Sequence, residues 1–419
     1  MRAGPVVSDE SPVNRPVRTI LFVHPSDELY GSDRCLLSVI RGLPDRYRAI
    51  VALPTDVAYR GSLSRELRAA GADVRSCNMM VLRRAYLRPA ALARLAWRFV
   101  AGCTTLAQLI HRERVALVHS NTVTVPCGPL AAAIMRRPHI WHIHEILTNE
   151  PRAVRFALRT TMSIVPGRII AVSRATARSI AIGYPDSASK LTLIYNGVRL
   201  PICRREVNVS SAAKESRLGF VGRLSPRKGI AEALQAVAIL HQRGVPLRLR
   251  VFGGAAPGQE WREADYRRMA ATLGIESIVS FEGFVPDASE RFRELDILLV
   301  PSQWPDPFPR TVLEGMAAGC AVVAARNGGG SDEMLDDGVT GLYCDRDPES
   351  IAAAIRRLVD DVTLRDVIAR NAVDTARTLF SEARYVREVI ECYDRLIETR
   401  LPLSHGRPSA PPGIDDARR

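Results

Sequence analysis

Pro301-Ser302-Gln303-Trp304-Pro305-Asp306-Pro307-Phe308-Pro309-Arg310, continuing through Thr311 and Leu313-Glu314-Gly315-Met316 to Gly319, is the run that decides how this chain is built. Ile297-Leu298-Leu299-Val300 before it is short and wholly apolar, which is how a strand buried on both faces reads. Thr311 to Ala318 after it reads as a helix. A buried strand that ends in a proline-stiffened, carboxylate-bearing loop and passes straight into a helix is one unit of an open α/β sheet. Ligands of such sheets bind outside the carboxyl ends of the strands, where backbone N–H groups and the helix dipole converge.

The same unit recurs on both sides. Upstream, apolar runs at Thr19–Val23, Ala49–Leu53, Ala116–Val118, His139–Trp141 and Arg168–Val172 alternate with helical stretches. Such alternation implies a parallel, doubly wound sheet. It pauses at 201–216, where Arg204, Arg205, Asn208, Ser210 and Lys214 replace apolar runs, and this is the expected linker. A second series follows: Arg217–Val221, Leu247–Phe252, Ile278–Phe281, Leu295–Val300 and Cys320–Ala324. The expected fold class is therefore α/β, with two doubly wound domains, 17–200 and 217–380, facing a central cleft of the kind that binds ligands. A last helix at 381–401 is expected to pack back towards the first domain. The tails 1–16 and 402–419 read as disordered.

The 419 residues are ordinary globular material, 47% hydrophobic and 25% charged, but the net charge of +13 is not ordinary. It suggests an anionic partner: nucleic acid, an acidic membrane surface or a phosphorylated ligand. No module of stacking aromatics accompanies the charge, so nucleic acid is not expected as a partner. The eight cysteines show no paired metal-ligand spacing and sit mostly in apolar runs. No apolar run approaches the ~20 residues that span a bilayer, and no stretch reads as a secretory signal, so a cytoplasmic setting is expected.

Several motifs could carry chemistry. Gly219-Phe220-Val221-Gly222-Arg223-Leu224 to Lys228-Gly229 is a strand, a Gly-Arg turn and a helix start. Glycine lets a backbone approach a ligand closely, and Arg223 and Lys228 place positive charge beside a helix N-terminus, which suits a diphosphate. The alternative is a solvated basic turn. Neither a G-x-G-x-x-G dinucleotide fingerprint nor a P-loop occurs. Gly328-Gly329-Gly330-Ser331-Asp332-Glu333 reads either as a second backbone anion cradle or as a flexible loop. In Trp141-His142-Ile143-His144-Glu145, alternation puts both histidines on one face, but no third metal ligand stands at a suitable spacing, so no metal site is expected. Val81 to Arg114 holds seven Arg and one Glu among Tyr86, Trp97 and Phe99. It reads as a sheet-packed helix with an Arg-rich solvent side, or as an interfacial helix with an aromatic edge.

Taken in order, these pieces resemble the family 4 glycosyltransferases, which have the GT-B fold. The resemblance runs from about residue 18 to 400. It rests on Tyr30-Gly31-Ser32-Asp33-Arg34, Ala171-Val172-Ser173, Tyr195-Asn196-Gly197-Val198, the Gly222-Arg223 turn, Phe281-Glu282-Gly283-Phe284-Val285, the opening stretch and Asp337-Gly338-Val339-Thr340-Gly341. It implies a retaining, metal-independent hexosyltransferase using a nucleotide-diphosphate sugar as co-substrate and no other cofactor. By the same resemblance, Arg223 and Lys228 bind the donor diphosphate, Glu314 holds the ribose hydroxyls and Asp306 contacts the transferred sugar. Gly31 and Gly222 line the cleft, Phe308, Arg310 and Thr311 complete the donor loop, and His144, or in its place His142, faces the reacting sugar.

Two departures bear on the site. The family's usual Glu-Pro-Phe-Gly is here Asp306-Pro307-Phe308-Pro309, and its Gly-Gly-x-Glu is Tyr30-Gly31-Ser32-Asp33. Aspartate reaches about 1–1.5 Å less far than glutamate on saturated-chain geometry, and Pro309 has no N–H to give. The expected activity is transfer of a mannose- or glucose-type hexose from a GDP- or UDP-sugar to a glycan or lipid-linked acceptor, in bacterial cell-surface polysaccharide synthesis. The alternative is a GT-B protein that binds nucleotide sugar or polysaccharide without transfer. Peripheral contact with an anionic membrane would run through Arg83, Arg84, Arg88 and Trp97.

Overall fold

The computed structural model describes residues 16–55, 61–82, 92–147, 152–165, 167–200, 215–256, 258–285 and 289–399. Most of both tails, Arg83, Arg84, Arg88 and linker residues 201–214 lie outside that set. The first sheet contains β1 (Arg18–Val23), β2 (Tyr47–Pro54), β3 (Asp73–Cys77), β4 (Leu117–Ser120), β5 (His139–Ile143), β6 (Gly167–Ala171) and β7 (Leu191–Leu193). The second contains β8 (Ser216–Val221), β9 (Leu247–Phe252), β10 (Val279–Gly283), β11 (Ile297–Val300), β12 (Ala321–Ala325) and β13 (Leu342–Cys344). The expected linker therefore overlaps β8 by one residue, at Ser216.

All pairings are parallel, in the orders β3-β2-β1-β4-β5-β6-β7 and β10-β9-β8-β11-β12-β13. Burial on both faces explains the unbroken apolar runs: Ile20 to Val23 of β1 and Ile297 to Leu299 of β11 are almost wholly shielded from solvent. Each sheet reverses its winding beside its first strand, between β1 and β4 in one and between β8 and β11 in the other. Crevices open at the carboxyl ends of strands at such switch points. His24 and Asn121 follow the strands of the first switch point; Gly222 and Pro301 follow those of the second.

The chain crosses twice between the domains. Helix Val362–Leu379 buries Ala372 and Ala376 in the second domain, in one core with Met316 and Val322. Helix Glu382–Glu398 then returns to the first domain, where Tyr385, Val389, Ile390 and Tyr393 join a core with Phe22, Leu36 and Val51. Tyr393 Oη and His119 Nδ1 lie 2.6 Å apart, and Arg46 reaches Asp394 at 2.9 Å.

Helix Leu92–Arg112 buries Cys103 and Leu106 against the first sheet. Its outer side exposes Arg94, with Trp97 66% and Val100 55% accessible. Among the described residues no helix is long and apolar enough to cross a membrane.

Candidate functional site

The basic turn takes its shape from two glycines. Gly222 sits at φ +156°, and Gly229, at φ +75°, ends the short turn Pro226–Lys228 and begins helix Ile230–Gln242. A Cβ on Gly229 would lie 1.9 Å from the Pro301 carbonyl, and Gln303 N–H donates to Arg227 O at 2.8 Å. The turn is thus pressed against the start of the Asp306 loop. As a result Lys228 Nζ lies 2.5 Å from Asp306 Oδ2. Arg223 points across the cleft, 3.2 Å from Glu28 of the first domain and with its guanidinium 4.3 Å from the Tyr30 ring centre. Both cations assigned to the diphosphate are therefore present, each facing a carboxylate.

The opening loop rests on the glycine run, which is neither an open anion cradle nor a flexible loop. Gly330 N–H donates to Asp306 O, Gly329 N–H to Asn327 Oδ1 and Gly328 N–H to Asp332 Oδ2, at 2.7, 2.9 and 2.8 Å. A Cβ on Gly330 would stand 1.9 Å from the Pro307 carbonyl, and one on Gly329 2.4 Å from that of Asp306. These glycines let the donor loop lie directly on the backbone. Glu333 of the same segment reaches the other domain, accepting from the N–H groups of Arg174 and Ala175 at the start of helix Arg174–Gly183.

Phe308, expected in the donor loop, packs into a core beneath it. Its side chain is 4% exposed, stacked on Tyr195 at 5.2 Å and edge-on to Phe380 at 5.8 Å. Pro309, with no N–H to leave unpaired, precedes helix Arg310–Ala318. Arg310 lies in the interface, 3.3 Å from Glu314 and donating to Gly197 O at 3.0 Å. Together with Gly31, Gly222, Thr311, Phe252, Gly253, Phe284 and Val285, these two side chains line an interdomain cavity of about 410 Å³. Arg223, Lys228, Asp306, Phe308 and His144 are not among its lining residues. The basic turn thus borders this nucleoside-sized cavity through Gly222.

On the first-domain side, Gly31 opens helix Gly31–Arg41, and a Cβ there would meet Arg310 at 3.8 Å. Asp33 accepts from Tyr30 N–H at 2.8 Å and from the Ser26 hydroxyl at 2.7 Å, and its Oδ1 lies 2.6 Å from His24 Nε2. Burial alone would raise this carboxyl, but the hydrogen bonds from His24, Ser26 and Tyr30 outweigh it and hold Asp33 below the ordinary carboxylate value. Asn121 stands between His24 and His144, at 3.2 Å from His24 Nδ1 and 3.1 Å from His144 Nε2. Burial takes the His144 imidazole down to about 3. His142 stacks on His144 with ring centres 4.4 Å apart and is itself fully buried. Glu145 accepts from the Thr122 hydroxyl, and burial raises its carboxyl. Among the described residues no group of three or more His, Cys, Asp or Glu could hold a metal ion.

Glu28, His24 and Asn121 escaped the sequence reading. His24, Asn121 and His144 each follow the last residue of β1, β4 and β5, three neighbouring strands. A polar residue at that place in each was the available signal.

Comparison with known proteins agrees with this geometry. The family model described as Glycosyltransferase Family 4 matches residues 31–200, and that described as Glycosyl transferases group 1 matches 205–375. A D-inositol 3-phosphate glycosyltransferase of Corynebacterium kroppenstedtii is 35% identical over 199 residues, 46% of this chain and 43% of that protein. Its namesake in Thermomonospora curvata is 30% identical over 265 residues, 59% and 61% of the two chains. The chain thus spans about half the length of the curated relatives it matches. Among solved structures, HepE of Anabaena, crystallised with UDP, superposes with a TM-score of 0.76 over 90% of this chain and 100% of that one, at 24% identity. Sucrose-phosphate synthase of Thermosynechococcus elongatus gives 0.69 over 91% and 100%, at 17% identity. One family model accounts for each wall of the cleft, and the chain belongs to the family 4 glycosyltransferases, built on the GT-B fold.

Proposed function

We propose that this protein transfers a hexose from a nucleotide-diphosphate sugar, with retention at the anomeric carbon, to a glycan or lipid-linked acceptor bound by the first domain. The observation that carries the reading is the cleft itself. Glu314 lines a nucleoside-sized cavity, and so does Gly222, at the start of the turn that carries Arg223 and Lys228. That arrangement suits a ribose on the carboxylate and a diphosphate on the cations. HepE structures that contain UDP-glucose support a UDP-glucose-type donor. On this reading the acceptor oxygen attacks on the face the diphosphate leaves, and Arg223 and Lys228 stabilise the departing charge. Cell-surface polysaccharide synthesis from the cytoplasmic side is the matching role, and exposed Trp97 and Val100 beside Arg94 suit peripheral contact with an anionic membrane.

A thermal-shift panel of UDP, UDP-glucose, GDP-mannose and ADP-glucose tests the donor. A ligand at 100 times its Kd adds about 2.7 kcal/mol of stability, and no shift with any of the four would overturn the reading. The second reading, binding without transfer, is favoured by one observation: the shorter Asp306 is held by Lys228. Asp306→Glu separates the two. The longer side chain is expected to raise turnover by restoring reach to the sugar, and donor binding without turnover in either form would establish the binding protein.

A further inference from the structure

Between β1, β4 and β5 runs a buried chain of hydrogen bonds whose direction a single backbone oxygen decides. Asn121 Nδ2 lies 3.1 Å from the Ser32 carbonyl, which can only accept, so this atom is the amide nitrogen and Oδ1 is the acceptor. His144 Nε2, 3.1 Å from Oδ1, must then carry a proton. The second amide hydrogen points to His24 Nδ1 at 3.2 Å, so His24 Nδ1 accepts and His24 Nε2–H donates to Asp33 Oδ1 at 2.6 Å. His24, Asp33 and Asn121 are all at least 98% buried, so no solvent competes for these bonds.

We propose that Asn121 is a positioning residue which fixes His144 as the Nε2–H tautomer, so that its unprotonated Nδ1 accepts a hydrogen bond from a hydroxyl of the transferred sugar. This rests on the reading that His144 meets that sugar. It also names a substrate class. A neutral ring with a lone pair at Nδ1 favours a hydroxyl, which can donate, over a carboxylate, which cannot. The site selects neutral hexoses against uronic acids. The charged and titratable groups near His144 are Asp33 and His24 through Asn121, Glu145 beside it in sequence, Arg310 across the cleft, and His142 and His119 beneath. Burial is the first cause of its lowered basicity.

Asn121→Asp tests the proposal. A carboxylate at 121 can accept from His144 but cannot donate to Ser32 O or His24, and it favours the imidazolium. In the wild type, UDP-glucose turnover should carry no acid limb from His144 between pH 5 and 8. In the variant the facing carboxylate raises the ring's basicity, so turnover should acquire an acid limb and fall as pH drops from 8 to 5. Use of UDP-glucuronate relative to UDP-glucose should rise, because the imidazolium can pair with a carboxylate. A flat profile and unchanged donor preference in Asn121→Asp would overturn the proposal. Ring-nitrogen NMR of the wild type, with His144 assigned by its loss in His144→Gln, gives a second readout that needs neither the variant nor activity. A protonated Nε2 and bare Nδ1, unchanged from pH 5.5 to 8, is the expected result. An Nδ1–H tautomer, or a ring titrating in that range, would overturn the assignment. Should the protein transfer no sugar at all, the functional reading fails and the NMR still decides the tautomer.

Discussion

Lys228 and Asp306 face each other at 2.5 Å with side chains 30% and 16% exposed, so the pair sits at the rim of the cleft and not in its depth. A diphosphate offers Lys228 more charge than one carboxylate does, and exchange of partners on donor binding follows from that. Lys228→Ala should lower kcat/KM about 10²–10³-fold, or ~2.7–4 kcal/mol, the usual loss for one electrostatic contact to developing charge. Unchanged kinetics would remove Lys228 from the site. Lys228 and Glu314 could be singled out in advance because each belongs to a local motif of the family resemblance. Glu28 was not, since its partner Arg223 lies 195 residues away in the other domain. Asp33 carries a pH prediction. Its folded pKa is depressed, so its stabilising effect is complete above the ordinary value of 3.8 and is lost as pH falls below that value through the depressed one. Urea unfolding should therefore show Asp33→Asn less stable than wild type at pH 7, with the gap narrowing as the wild type is acidified below 3.8. A gap independent of pH would mean that the carboxylate charge is not what the native state uses.

At the scale of elements, apolar runs and glycine turns made the strand–loop–helix units legible, because a strand buried on both faces has little freedom of composition. The Gly328–Gly330 run shows where local reading stops. Nothing within those residues tells an open anion nest from a packed platform, since the difference lies in the carbonyls of Asp306 and Pro307 above them. Its packing makes Gly330→Ala informative. The added methyl would stand 1.9 Å from the Pro307 carbonyl and must lift the loop that carries Asp306. Such overpacking typically costs ~1–3 kcal/mol. Donor KM should rise because the loop that carries Asp306 is displaced, while far-UV circular dichroism stays native. Unaltered KM would show that the loop's seat does not set donor affinity.

The whole molecule is two parallel sheets whose switch points face one another, and its last described helix belongs to the sheet that was made first. The last helix was expected at 381–401 and packed towards the first domain, and it lies there; which side chains it meets depends on contacts hundreds of residues apart. Tyr393 and His119 are separated by 274 positions, and their bond ties helix Glu382–Glu398 to β4. Burial holds His119 neutral, with its pKa down to about 3, and its Nε2 has no hydrogen-bond partner. Tyr393→Phe would keep the edge-on ring contacts with Phe22 and Tyr47, at 6.3 and 6.2 Å, yet leave His119 Nδ1 without its bond. An unpaired buried polar atom costs about 1–3 kcal/mol. The urea midpoint should fall accordingly with little change in slope, because the surface exposed on unfolding is the same. Hydrogen exchange locates the effect: amides of β1 and β4 should lose protection while those of β8 and β11 keep theirs. Equal loss in both sheets would mean that the helix stabilises the two domains as one cooperative unit and not the first domain alone.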